Sequence, residues 1–177
     1  DDGLGGVALP EGPPLTPGIA ADAIRDLLRA AAPASVTVIG LGPVTNLALA
    51  FATEPALADR VAEVVLMSGA WNEGNITPAA EFNAWNDPEA LALLLHLGRP
   101  LAMATLDLTA QAFVTPALVD ALAARQGGAC WQAALAILRA LPPSKRRGMR
   151  GFPLHDPCAI AWAIAPPLFG AKPAGCE

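Results

Sequence analysis

The chain has 177 residues, 54% of them apolar and 15% charged, which makes it about one domain long with enough apolar surface for a packed core and excludes intrinsic disorder. Eleven Lys and Arg against sixteen Asp and Glu leave a net charge of −5, so the phosphate-neutralising field that a nucleic-acid partner needs is missing. No apolar run reaches the roughly 18 residues of a membrane span. Asp1-Asp2-Gly3 has neither a basic nor an apolar leader character, and the expectation is a soluble protein with no membrane partner.

Residues Asp1 to Pro17 are broken by glycines and by Pro10, Pro13, Pro14 and Pro17, and read as loop. Thr16 then offers an N-cap and Pro17 a first helical position, with Ile19, Ala23 and Leu27 at helical spacing in a helix that ends near Pro33. Ser35 to Gly40 is β-branched and reads as a short buried strand, followed by a helix from Pro43 to Ala52. The alternation continues with a strand over Ala62 to Met67, a helix over Asp87 to Leu97 capped by Asp87 with Pro88 behind it, and a strand over Pro100 to Thr105. Helices over Pro116 to Arg125 and Ala129 to Leu141, a basic loop, and an apolar helix from about Asp156 to Ala165 complete the chain.

Strands alternating with helices predict an α/β fold: an open, mostly parallel sheet with helices on both faces. The Gly-rich opening has no strand before it, and the chain ends just after a proline-containing apolar stretch. A single but incomplete domain over residues 1–177 is therefore expected. In such folds ligands sit at the carboxyl ends of the strands, here Leu41 to Asn46, Met67 to Asn86 and Leu106 to Ala112. Cys130, Cys158 and Cys176 are odd in number and without C-x-x-C spacing. With only two histidines present, they argue against a disulfide framework or zinc module and for a reducing, cytoplasmic compartment.

The loop after the second strand is long and carries Asn75, Glu81 and Asn83. In an extended segment Glu81 and Asn83 project to one face and Phe82 to the other, and with Asn75 they can fork onto the vicinal hydroxyls of a sugar. The same residues also suit turn bonds and a cap for the helix at Asp87. His155-Asp156-Pro157 allows two readings: Asp156 as an N-cap followed by proline, or a proton donor beside a hard oxygen ligand for calcium or magnesium. Leu41 to Asn46 lacks both the GxxxxGK[ST] and GxGxxG patterns of phosphate cradles, although a strand-end carbonyl there suits an oxygen-loving cation. Asp107 and Thr109 read as loop-orienting or capping residues, and His96 as a packed or half-exposed helix residue. Lys145, Arg146, Arg147 and Arg150 read as a solvated loop, with a mobile lid as the alternative.

Taken together, Asp2-Gly-Leu-Gly-Gly6, Gly42-Pro-Val-Thr-Asn46, Met67 to Ala70, Gly74-Asn-Ile-Thr-Pro78, Glu81-Phe-Asn83, Asp87-Pro-Glu89, Leu106-Asp-Leu-Thr109 and His155-Asp-Pro157 resemble the inosine-uridine preferring nucleoside hydrolases over essentially the whole chain. The resemblance implies a Rossmann-like α/β fold, a small-molecule ribonucleoside as substrate, water as the nucleophile at the N-glycosidic bond, and a bound calcium ion. It implies that Asp156 and the Leu41 main-chain carbonyl ligate calcium, and that Asp156, Asn75, Glu81 and Asn83 hold the ribose. Met67 and Phe82 would pack around the sugar, and His155 would lie beside the base as the leaving-group acid. Members commonly form homo-oligomers, and the same is expected here at full length. Threonine is usual in the family where Leu41 stands, a change that a backbone ligand tolerates.

The family's D-x-D-x-G-x-D-D motif, which supplies the water-activating base and further calcium carboxylates, has no counterpart in this sequence. The chain is therefore expected to be an internal piece carrying the ribose-binding half of the site, and its activity in isolation stays open. A non-catalytic sugar- or nucleoside-binding module and a decayed gene fragment are the alternatives.

Overall fold

A computed structural model of the chain describes residues 5–9, 11–140 and 151–176. The basic cluster Lys145, Arg146, Arg147 and Arg150, and most of the Asp2-Gly-Leu-Gly-Gly6 segment, lie outside the described residues. The chain divides into two compact units, one of Pro17–Thr109 with His155–Glu177 and the other of Asp1–Thr16 with Ala110–Leu154.

The first of these holds α1 (Ala20–Ala30), β1 (Val36–Gly40), α2 (Thr45–Thr53), a 3-10 turn (Pro55–Arg60), β2 (Val61–Met67), α3 (Phe82–Asn86), α4 (Pro88–Leu95), β3 (Leu101–Ala104) and α5 (Leu106–Thr109). The other holds a two-residue antiparallel ladder, β4 (Phe113–Val114) with β5 (Phe152–Pro153), and the helices α6 (Pro116–Ala123) and α7 (Ala129–Ala140). Helix α8 (His155–Ile164) and a 3-10 turn (Pro166–Leu168) return to the first unit.

Strands β1, β2 and β3 form a parallel sheet in that order, with Val38 opposite Val64 and Leu66 opposite Met103. Its middle strand β2 is an apolar run because both of its faces are covered. Val64 and Leu66 join Leu28 of α1, Phe51 of α2 and Leu94 of α4 in one core. Side chains alternate along a strand, so Glu63, Val65 and Met67 face the other way. There Glu63 Oε1 accepts a 2.9 Å bond from Trp162 Nε1 of α8, which packs across all three strands. Helices thus lie on both faces, as the alternating pattern predicts. Each fully buried side chain such as Leu66 or Leu94 adds about 1.5–3 kcal/mol of transfer free energy.

Three local expectations are corrected. Helix α1 starts at Ala20 with Ile19 at its N-cap position, and Thr16 does not cap it. Gly18 has φ +132, which no helical turn contains, so the helix begins only after it. The segment around Glu81 is not extended: Phe82–Asn86 is a short helix whose N-cap is Glu81. Asp156 is not an N-cap either, because α8 begins at His155 and takes Asp156 and Pro157 into its first turn. Proline is tolerated there because the first N–H groups of a helix have no partner inside it, and the carboxylate complements the positive end of the helix dipole.

Candidate functional site

The asparagine loop is organised around one buried carboxylate. Glu81 is 2% exposed, and its Oε2 accepts bonds from the backbone N–H groups of Gly69 at 3.1 Å, Asn83 at 2.9 Å and Ala84 at 3.1 Å. The buried Ser68 hydroxyl lies 3.5 Å from the same oxygen. Gly69, at φ +78, turns the chain out of β2 and aims its N–H at this carboxylate, a conformation that glycine adopts freely. Capping by Glu81 also explains why the segment is helical, since two of the orphan N–H groups of α3 end on its side chain. Sequence spacing alone gave no sign of this turn, because five residues are too few for a readable helical period.

The bonds shown by Glu81 all fall on Oε2, so Oε1 remains as an acceptor. Asn75 Oδ1 accepts from the Phe82 N–H at 2.8 Å, which commits its carbonyl end and presents its amino end as a donor. Asn83 does the reverse: Nδ2 donates to the Met67 carbonyl at 2.9 Å and touches Met67 Sδ at 3.6 Å, presenting Oδ1 as an acceptor. Met67 is buried at the end of β2, whereas Phe82 is exposed at the start of α3. The structure therefore ties Met67, Asn75, Glu81, Phe82 and Asn83 into one cluster offering a mixed set of donors and acceptors. The turn bonds foreseen for these residues are present, but they serve α3, while α4 is capped by Asp87, which accepts from Ala90 N–H at 3.0 Å. Gly74 closes the outer part of the loop. Its N–H donates to Pro78 O at 2.9 Å, and a Cβ there would lie 2.3 Å from Ala80 O.

A second cluster lies at the end of β1 and the start of α8. Leu41, Asp156, Pro157, Ile160, Ala161 and Ile164 line a groove of about 440 Å³. Solvent reaches Asp156 from this groove, yet loss of water around its carboxyl pushes the pKa up. The neighbouring His155 opposes this effect and the charge of Glu81 adds to it. The asparagine loop thus acts on Asp156 through the charge of Glu81. His155 is half-buried, and its Nδ1 lies 2.8 Å from Thr109 Oγ1, a partner 46 residues earlier that no local pattern could reveal. His96 stands apart at the exposed end of α4, its Nδ1 2.7 Å from Ala92 O.

Asp107 holds the base of the asparagine loop, accepting from Trp71 N–H at 2.6 Å, Asn72 N–H at 3.2 Å and Asn72 Nδ2 at 2.6 Å. Burial alone would raise its pKa, but these donors together outweigh it and hold the carboxyl below its ordinary value. Its contribution to stability is then full above the unfolded pKa near 3.9 and is lost as pH falls through the lower folded value. Asp107→Asn should cost about 1 kcal/mol at neutral pH, solvent exposure trimming the usual value for charged hydrogen bonds. Urea unfolding of wild type and variant from pH 7 to pH 2 should show the two curves converging at the acid end.

The Leu41 carbonyl and the Asp156 carboxylate are hard oxygen donors and suit calcium in kind. Two oxygens fall short of the about six to eight that calcium takes, so alone they would complete no coordination shell. Among the described residues no cluster of three or more His, Cys, Asp or Glu could hold a metal by itself.

The pyrimidine-specific ribonucleoside hydrolase RihA of Klebsiella pneumoniae is 39% identical over 175 residues, covering 96% of this chain and 55% of that protein. The protein of the same name from Shewanella woodyi is 38% identical over 177 residues, covering 98% of this chain and 56% of its own length. Among solved structures, a purine-preferring ribonucleoside hydrolase from Gardnerella vaginalis superposes with a TM-score of 0.84 at 28% identity, over 98% of this chain and 56% of that one. The plant nucleoside hydrolase PpNRh1 gives 0.78 at 27% identity, over 96% of this chain and 54% of that one. The chain thus spans about half the length of the curated relatives it matches. The family model described as inosine-uridine preferring nucleoside hydrolase matches residues 1–177, and with the α/β fold and the loops at its strand ends this establishes that the chain belongs to that family.

Proposed function

We propose that the full-length protein hydrolyses the N-glycosidic bond of ribonucleosides to free base and ribose with the help of calcium, and that this chain carries the ribose-binding half of the site. The observation that carries this reading is the groove where Asp156 and Leu41 meet at the end of β1: the Asp156 carboxyl has its pKa raised by burial and by the charge of Glu81, a setting that a cation relieves. Bond cleavage builds positive charge on the sugar and negative charge on the base, so anionic groups near the ribose and a donor near the base both stabilise the transition state.

In this scheme Asn75, Glu81 and Asn83 hold the ribose hydroxyls, with the acceptors Glu81 Oε1 and Asn83 Oδ1 and the donor Asn75 Nδ2 dividing the work. Met67 and Phe82 pack around the sugar. Asp156 and the Leu41 carbonyl would hold calcium, and Asp156 also touches the ribose. Calcium, when bound, lowers the pKa of its water and polarises it for attack. His155 delivers the proton to the leaving base. The remaining calcium carboxylates and the base that activates water would come from the family's aspartate-rich motif, outside this segment. We take residues 1–177 as one partial domain of a cytoplasmic enzyme that works as a homo-oligomer on small-molecule ribonucleosides, with neither nucleic acid nor membrane as partner. Exposed apolar residues such as Ile164 and Leu168 are available for self-association, and no helix among the described residues is long and apolar enough to cross a membrane.

The test is ribose release from inosine, uridine and cytidine by the full-length protein, with calcium and with chelator. Release that falls on chelation is expected. Absence of release with every nucleoside overturns the function, and release indifferent to chelator overturns the role of calcium.

A further inference from the structure

Thr109 ends the single turn of α5 and is 0% exposed. Its Oγ1 lies 3.3 Å from the Leu106 carbonyl oxygen and 2.8 Å from His155 Nδ1. A hydroxyl has one proton and two acceptor sites. Both contacts are hydrogen bonds at the same time only if Oγ1 donates to Leu106 and accepts from Nδ1–H. The site has the shape of a valine, and burying a hydroxyl there costs about 1–3 kcal/mol unless it is bonded, so the oxygen answers to its partners and not to packing.

From this geometry we infer that Thr109 is a positioning residue for His155. It locks the ring rotation and commits the neutral imidazole to the Nδ1–H tautomer, making Nε2 the nitrogen that meets the leaving base. The inference rests on the hydrolase reading for the role of His155, whereas the grip on the ring stands on the two distances alone. In the transfer the Nε2–H bond of the imidazolium breaks and an N–H bond forms on the base, which takes the electron pair of the broken glycosidic bond. The ring left behind is the neutral Nδ1–H form, the one whose proton Thr109 accepts. Thr109 accepts from Nδ1–H both before and after the transfer, so it holds the ring throughout without touching substrate. The same bond pins His155 at the first residue of α8 to the end of α5, so the imidazole meets substrate in one orientation.

The experiment is ¹⁵N spectroscopy of the histidine rings in the full-length protein, with the His155 signals assigned by their loss in His155→Gln, beside steady-state kinetics. Wild type and Thr109→Ser should show the neutral ring protonated on Nδ1, and Thr109→Val should lose that preference. Thr109→Val should lower kcat about 10- to 100-fold, part of what general acid catalysis supplies, with KM changed by less than about twofold and serine restoring most of the loss. A wild-type ring protonated on Nε2, or a tautomer unchanged in Thr109→Val, overturns the inference. If the valine variant folds poorly by thermal unfolding, the wild-type and serine spectra still decide. A wild-type protein that releases no ribose overturns the hydrolase reading, and the tautomer spectra then decide independently whether Thr109 holds the ring.

Discussion

Asp156→Ala in the full-length protein should lower kcat/KM for ribonucleosides by about a thousandfold, the upper range for removing one pre-placed electrostatic group from a transition state. Among the described residues its carboxylate is the one acidic group lining the groove beside Leu41, and the charges of His155 and Glu81 act on it in opposite directions. On the proposed reading, alanine removes a cation ligand, a ribose contact and a negative charge facing the developing positive sugar. Asp156→Asn separates these effects, because the amide keeps the size and one oxygen but not the charge. The raised pKa of Asp156 means that the metal-free fold binds this proton more tightly than the unfolded chain does. Stability of the cation-free protein should therefore fall as pH rises through that pKa, and Asp156→Asn should remove this loss. Thermal unfolding with chelator should place the Tm of Asp156→Asn above wild type at neutral pH. Added calcium should raise the Tm of wild type and leave the variant unmoved. A wild-type Tm indifferent to calcium, together with full activity in the variant, would sink the ligand assignment.

Glu81 should show the second large effect, divided between stability and binding. Glu81→Ala strands the N–H groups of Gly69, Asn83 and Ala84 and removes the cap of α3, for a combined loss of about 3–5 kcal/mol. Glu81→Gln keeps an acceptor oxygen, so most of the turn should survive with a Tm shift of a few degrees. On the proposed reading, its loss of charge beside the ribose should lower kcat/KM about 10- to 100-fold, with much of the change in kcat if the charge acts on the transition state. Urea unfolding and nucleoside kinetics on both variants check the division. Equal kinetic losses with equal instability would make Glu81 structural only.

The contrast between Glu81 and Thr109 shows where sequence reading stops. Glu81 and Asn83 are legible as polar groups in a long post-strand loop, but placing them on one face of an extended segment misses the short helix. The helix owes its existence to the side chain of Glu81 reaching back onto N–H groups, a bond that no periodicity encodes. Thr109 reads in the sequence only as a loop-orienting or capping residue within Leu106-Asp-Leu-Thr109, and its bond to a histidine 46 residues away is not encoded there. Asp156 lies between the two cases: its place at the start of α8 is readable, whereas its electrostatic coupling to Glu81 is not.

The sequence by itself determined the α/β class, the three parallel strands and most helix positions, because apolar runs, proline starts and glycine ends act over a few residues and carry their signal locally. It also determined the family, through motifs spread along the whole chain. Only the tertiary structure decided that Leu41 and Asp156 share a groove, that one oxygen of Glu81 gathers the loop, and that Thr109 is bonded to His155. Each of these depends on where separate strand ends and the start of α8 are carried by a sheet packed on both faces, and a side chain can contact only what that packing brings within hydrogen-bond reach.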